Sequence, residues 1–161
     1  MIRNFILLAI VAVGGWYYFD SQSKMSESHV LDHIKASMDS SRRMDATKSC
    51  DLVADDVEIV MTTVLTANST RKRYDKASYC DYVKDGFSEI SKLPSVESLP
   101  SMNVSNVMLS EDKKRATMNF SQTEKLIVNG RTIATTNGTG TMELVMVKRK
   151  ALLRAMKIEV R

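Results

Sequence analysis

The side-chain period of this chain changes from about 3.6 to about 2 near residue 57, and that change constrains the fold more than any other feature. Before it, Val30, Ile34 and Met38 recur at helical spacing. The segment that starts at Val57 is rich in β-branched residues and alternates between apolar and polar residues, which predicts a strand. A chain of 161 residues that contains both periods and no internal repeat is predicted to form one α+β domain.

Capping residues mark where three helices are predicted to begin. Ser26 precedes the first, over about residues 26–40, Asp45 precedes the second, and Asp75 precedes the third. The second helix is predicted to end just before Asp55 and Asp56, which then mark the corner between helix and strand. Adjacent residues of an extended segment point to opposite faces, so we interpret these two carboxylates as structural rather than catalytic.

The second half of the chain has the pattern of strands alone. Alternating segments from Met102 to Val160 are separated by turn sequences, of which Asn129-Gly130 is the strongest hairpin signal. The basic clusters Arg71–Arg73 and Lys148–Lys150 are also placed in turns. The pattern predicts three N-terminal helices, with one strand before the third, packed on a strongly curved antiparallel sheet. Such a sheet forms a cone with a pocket at its mouth.

An uncharged apolar segment stands near the start of the sequence. Phe5–Phe19 follows Arg3 and ends with the aromatic residues Trp16–Tyr18. This pattern is typical of a retained signal-anchor or transmembrane helix over residues 1–20, followed by a polar stalk over 21–25 and the domain over 26–161. Cleavage as a secretory signal after the small residues Ala12–Gly15 is the alternative.

Charges on the two sides of this segment predict its orientation. Arg3 precedes the segment and Asp20 is the first charged residue after it, which places the domain outside the cytoplasm. The expected location is the bacterial inner membrane, with one span and a periplasmic domain; a secreted periplasmic protein is the alternative. In that oxidising compartment Cys50 and Cys80 are a candidate disulfide, with two buried free thiols as the alternative.

The stretch Cys50–Phe87 contains four features in order. A short helix ends in an alanine and the acidic pair Asp55-Asp56, and a strand, a basic loop and a capped helix follow. In this order it resembles the nuclear-transport-factor-2-like superfamily, the cystatin-like α+β cone that includes SnoaL-like proteins. The second half of the chain matches the strand-rich half of that fold, so the resemblance covers roughly residues 26–161. It implies a cone with a pocket but no single function, because the fold hosts isomerases, dehydratases, cyclases and many proteins without catalytic activity.

Candidate site residues follow from this cone. The ligand-binding candidates are Tyr79 and Tyr82 on the third helix, and Glu143 and Arg154 on late strands, where the latter two are a candidate buried ion pair. The two histidines, His29 and His33, are expected on the solvated face of the first helix, away from the pocket. No catalytic residue, metal site or cofactor is predicted, since the sequence lacks a nucleophile motif, a phosphate loop and a metal-ligand set.

Three classes of function remain open from the sequence. The first is a non-catalytic interaction or assembly module that contacts the membrane through its N-terminal helix, a second copy through the sheet face, and a protein of a membrane complex. The second is a binder of a small apolar or amphipathic ligand in the cone pocket. The third is a SnoaL-like isomerase or dehydratase. Nucleic acid is not an expected partner, because no aromatic residues interleave the basic clusters.

Overall fold

The computed structural model describes residues 24–65 and 68–161. In chain order the elements are α1 (Glu27–Arg42), α2 (Ala46–Asp51), β1 (Val53–Leu65), β2 (Asn68–Tyr74), α3 (Lys76–Ser91), β3 (Val96–Leu109), β4 (Arg115–Val128), β5 (Arg131–Val147) and β6 (Lys150–Val160). The predicted anchor at residues 1–20 lies outside the described residues. Within the described ranges, none of the helices combines the length and the apolar character that a membrane crossing requires.

One curved sheet contains all six of these strands, in the order β2-β1-β6-β5-β4-β3. The α+β class and the run of four long strands from β3 to β6 are confirmed. Two details of the prediction are wrong. The sheet is not wholly antiparallel, because β1 lies beside β6 and runs in the same direction. The helices are not all N-terminal, because both β1 and β2 precede α3.

The first strand begins at Val53, four residues before the predicted start, and the second helix is correspondingly shorter. Asp55 and Asp56 therefore lie inside β1 rather than at a corner. Pairing with β6 is irregular after Val53, and both aspartates are exposed. Asp55 accepts from Nζ of Lys76 at 2.7 Å and Asp56 accepts from Nε of Arg154 at 3.0 Å. Their different partners favour structural roles.

The basic cluster Arg71–Arg73 is part of strand β2, so its placement in a turn is wrong. This strand forms one edge of the sheet, and its residues from Asn68 to Arg73 are all exposed. Charged side chains are common on edge strands, because they discourage further strand pairing.

Local signals set the helix starts and the central hairpin as predicted. Ser26 caps α1 in a capping box with His29, while Asp45 caps α2 and Asp75 caps α3. Asn129 and Gly130 join β4 to β5 with φ values of 50° and 73°. Positive φ at both residues is what a two-residue hairpin turn of this kind requires.

The hydrophobic core lies between the helices and the inner face of the sheet. It includes Met25, the last residue of the predicted stalk over 21–25, which is 2% exposed. Strands β5 and β6 approach each other closely at Gly140. A Cβ atom at this position would lie 1.9 Å from the carbonyl oxygen of Lys157, so this close approach of two strands requires glycine.

Candidate functional site

A cavity of about 270 Å³ lies between the three helices and the inner face of the sheet. Residues of every described element except β2 line it. Its volume is close to the lower end of the range for small-molecule sites, roughly 300–1,000 Å³. The fold thus contains the pocket that a cone implies.

Most of the cavity wall is apolar, and methionine is its most frequent apolar residue. The sequence has 11 methionines. The methionines that line the cavity come from five different elements: Met38, Met61, Met102, Met142 and Met156. Unbranched thioether side chains adjust their rotamers at low cost, so this wall can adapt to ligands of different shape.

One part of the wall is polar and is organised around Glu124 of β4. Its Oε1 atom accepts hydrogen bonds from the hydroxyl of Ser41 in α1, at 3.1 Å, and from the hydroxyl of Ser98 in β3, at 2.7 Å. Ser98 is buried. The strand neighbours of Glu124 are Pro100 and Thr136, and both line the cavity as well. The carboxylate is therefore fixed in the wall by two hydroxyl donors.

The two predicted tyrosines line the cavity from α3. Burial, with a smaller effect of Tyr82, raises the pKa of Tyr79. Burial also raises the pKa of Tyr82; Tyr74 and Glu124 add to this, while Lys72 opposes it. The ring of Tyr82 lies 5.2 Å from that of Tyr74, centroid to centroid. Tyr82 is therefore a neutral phenol within electrostatic reach of the Glu124 carboxylate.

His33 also lines the cavity, so its placement on a solvated face is wrong. The residue is 7% exposed, and its Nδ1 atom lies 2.9 Å from the carbonyl oxygen of Ala151. A carbonyl oxygen only accepts, so Nδ1 carries the hydrogen and Nε2 of the neutral ring is an acceptor. Burial lowers the pKa of His33, and the hydrogen bond to Ala151 opposes that shift in part. His29 instead belongs to the cap of α1.

Glu143 and Arg154 form an ion pair, but neither lines the cavity, so their expected inward orientation is wrong. Nη1 of Arg154 lies 3.2 Å from Oε1 of Glu143, and the two side chains are 40% and 26% exposed. Arg154 is an extra residue in β6, because Glu143 pairs with Ala155 and the next residue of β5 pairs with Leu153. The inserted residue reverses the alternation that predicted an inward side chain.

Cys50 and Cys80 are joined by a disulfide, with their Cα atoms 5.4 Å apart. The bond links α2 to α3. Each cysteine directly follows a residue of the cavity wall, Ser49 in α2 and Tyr79 in α3. The disulfide therefore holds two helices of the wall at a fixed separation.

The side chains of the cavity define its chemical capacity. Among the described residues, no three His, Cys, Asp or Glu side chains cluster in a way that could hold a metal ion. The cavity does contain a proton acceptor in neutral His33 and phenol donors in Tyr79 and Tyr82. These groups can orient a ligand by hydrogen bonds within a mostly apolar cavity.

Sequence reasoning missed Glu124 and His33, although a signal existed for both. Glu124 has the same parity along its strand as Met118 and Phe120, which are buried. His33 lies between Val30 and Ile34 on the buried stripe of α1. The side-chain periods of β4 and α1 are therefore sufficient to predict that both polar residues lie on inner faces.

Comparison with known proteins finds similarity in structure only. No protein-family model and no curated protein sequence matches the chain. Its structure is similar to an NTF-2 like protein of unknown function from Shewanella oneidensis MR-1, at 11% identity and a TM-score of 0.61, covering 84% of this chain and 99% of that one. It is also similar to the beta subunit of a benzoate 1,2-dioxygenase from Burkholderia mallei, at 13% identity and a TM-score of 0.65, covering 85% and 91%.

A third similar structure is a ketosteroid isomerase-like protein from Erwinia carotovora atroseptica, at 10% identity and a TM-score of 0.53, covering 83% of this chain and 94% of that one. These similarities show that the domain has the nuclear-transport-factor-2-like, or cystatin-like, α+β cone fold. Likeness at such identities concerns the fold alone, because this fold serves many unrelated functions.

Proposed function

We propose that this domain binds a small, largely apolar molecule in its cone cavity and does so outside the cytoplasm, tethered to the bacterial inner membrane by its N-terminal segment. The observation that carries the proposal is the cavity itself, a mostly apolar space of about 270 Å³ in which two serine hydroxyls hold the carboxylate of Glu124. Enclosed apolar surface with a few convergent polar groups is the usual form of a small-molecule site.

Two features support the proposed location. Phe5–Phe19 has the composition of a membrane anchor or a signal segment. The disulfide between Cys50 and Cys80 is of the kind that persists in the periplasm and is rare in the cytosol.

Methionine methyl groups allow a direct test of binding. With methyl-labelled methionine, titration of the domain with octanol should shift the resonances of the five cavity methionines. Met108, which is 65% exposed and does not line the cavity, is the internal control. Equal shifts at Met108 and in the cavity would indicate nonspecific partition and contradict the proposal.

A pair of bulky substitutions separates the cavity from the outer sheet surface. Val160→Phe adds volume inside the cavity and is expected to weaken octanol binding. Asn119→Phe adds the same ring on the exposed face of β4 and should leave binding unchanged. Both variants need a cooperative unfolding transition before they are compared.

A second function, docking through the outer face of the sheet, is favoured by one observation. Short polar side chains are exposed on neighbouring positions of β4 and β5, namely Asn119, Ser121, Thr139 and Thr141. Such a surface permits close approach of a second copy or of a membrane-complex protein. The mass of the detergent-solubilised chain tests the homodimer, and a monomer at micromolar concentration would count against it.

A further inference from the structure

We infer that the ligand of this cavity carries a cationic, ammonium-type head group, which binds at Glu124 while its apolar body contacts the methionines. This inference rests on the proposed function and specifies the chemical class of the ligand. Three observations carry it: the charge of the wall, the hydrogen bonding of the carboxylate, and the aromatic residues beside it.

The charge of the wall has one sign. Among the described residues that line the cavity, Glu124 is the only acidic side chain, and none is a lysine or an arginine. His33 does not supply a positive charge, because burial favours its neutral form. A ligand with a negative head group would therefore meet a carboxylate and no lining cation.

The carboxylate of Glu124 has hydrogen-bond donors but lacks a positive partner in the described structure. Ser41 and Ser98 both donate to its Oε1 atom. None of the ion pairs formed between described residues includes Glu124. A partly buried carboxylate is stabilised most by an opposite charge, which an ammonium group supplies together with its N–H donors.

Aromatic side chains also line the cavity, and one of them, Tyr82, lies within electrostatic reach of Glu124. Tyr79, Tyr82 and Phe87 all line it from α3, and Glu124 contributes to the raised pKa of Tyr82. Faces of aromatic rings attract alkylammonium groups, and this attraction increases when water is excluded. Carboxylate and rings therefore favour the same head-group chemistry.

One basic residue, Lys72, opposes the preference for a cationic head group, and the test must take it into account. Lys72 of β2 lies close enough to Tyr82 to oppose the increase in the pKa of that phenol. It is not among the residues that line the cavity, but it pairs across the strands with Met61, which does line it. A ligand with a carboxylate head is thus the necessary competitor.

The cavity volume sets the size of the probes. A volume of 270 Å³ corresponds to roughly nine non-hydrogen atoms at the space that a water molecule occupies in the liquid, about 30 Å³. Octylamine and octanol each have nine non-hydrogen atoms and octanoate has ten, so the three probes are close to this size and differ in charge. The amine is cationic at neutral pH, because alkylammonium groups have pKa values of about 10.

The test is a calorimetric titration of the full chain, purified in detergent, with each of the three probes; titration of the detergent alone provides the blank. A cooperative thermal transition verifies that the domain is folded. Octylamine is expected to bind at least about tenfold more tightly than octanol, as for a hydrogen bond to a charged group. Octanoate is expected to bind more weakly than octanol.

Two variants assign the preference to Glu124. In Glu124→Gln the amide oxygen still accepts from Ser41 and Ser98. The affinities of this variant for octylamine and octanol should differ by less than about threefold. Glu97→Gln removes one exposed carboxylate from β3 and should retain the full preference. If Glu124→Gln retains the preference too, Glu124 is not the head-group site and the inference fails.

The outcomes separate this inference from the function on which it rests. If none of the three probes binds, the proposed function fails. If all three bind with equal affinity, the cavity binds apolar tails and only the cationic preference is overturned. If octanoate binds most tightly, the sign of the site is reversed, and Lys72 rather than Glu124 determines it.

Discussion

The Nδ1 atom of His33 in α1 lies 2.9 Å from the carbonyl oxygen of Ala151 in β6, across 118 residues of sequence. This hydrogen bond connects the first described helix to the last strand and passes along the cavity wall. It also fixes the tautomer of the imidazole, since the carbonyl oxygen can only accept. A buried neutral histidine in this position makes the stability of the domain sensitive to acid.

Replacing His33 by glutamine is expected to reduce the acid sensitivity of the fold. Burial lowers the pKa of His33 from 6.5, so the unfolded chain binds a proton at a higher pH than the folded chain. The free energy of unfolding therefore decreases as pH falls below 6.5. Urea denaturation between about pH 8 and about pH 5 measures this slope. Equal slopes of the free energy of unfolding against pH in the wild type and in His33→Gln would contradict the prediction. The matched control is His29→Gln, which should keep the slope of the wild type.

Removing the disulfide should destabilise the domain. The bond closes a loop with a sequence separation of 30, which corresponds to about 3–4 kcal/mol from the loop entropy of the unfolded chain. The double substitution Cys50→Ser and Cys80→Ser should therefore lower the free energy of unfolding by about 3–4 kcal/mol. Reductant should destabilise the wild type and have no effect on the double variant. A wild type that unfolds identically with and without reductant would show that the bond is absent.

Two glycines should respond in opposite directions to alanine. Gly140→Ala places a methyl group against the backbone oxygen of Lys157, which cannot rotate away, so a loss of about 1–3 kcal/mol is expected. Gly86 lies inside α3, and a Cβ there would meet no atom within 4 Å. Gly86→Ala should therefore stabilise the domain by about 0.5–1 kcal/mol. Chemical denaturation of both variants checks the pair.

Neutralising the Glu143–Arg154 pair should leave ligand binding intact. The two side chains lie outside the cavity and are 26% and 40% exposed. The double variant Glu143→Gln and Arg154→Gln is expected to lose less than about 1 kcal/mol of stability. Its affinity for octanol should stay within about twofold of wild type. A large loss of affinity without loss of folding would restore the pair as part of the site.

The features that sequence predicted well depend on residues close together in the chain. Ser26, Asp45 and Asp75 each bond to backbone groups within three residues, and Asn129-Gly130 is a turn in itself. The order of the second-half strands also follows from short connections. Local chemistry was sufficient for these elements.

The features that sequence missed depend on distant partners or on inserted residues. The parallel pairing of β1 with β6 joins segments about a hundred residues apart and has no local signal. Arg154 was assigned to the wrong face because an insertion in β6 changes the alternation. Glu124 lies on the face that the strand period predicts. Its role in a binding site could not be predicted, because a charged residue on an inner face indicates a site only when the cavity is known.

The position of β6 between β1 and β5 has a consequence for biosynthesis. Until residues 150–160 leave the ribosome, β1 lacks its parallel neighbour and the four-stranded half of the sheet cannot join the β1–β2 pair. Contacts of such long range form slowly and leave apolar strand edges open to other chains in the meantime. A nascent chain of this kind gains from a chaperone that shields β1 until β6 is available.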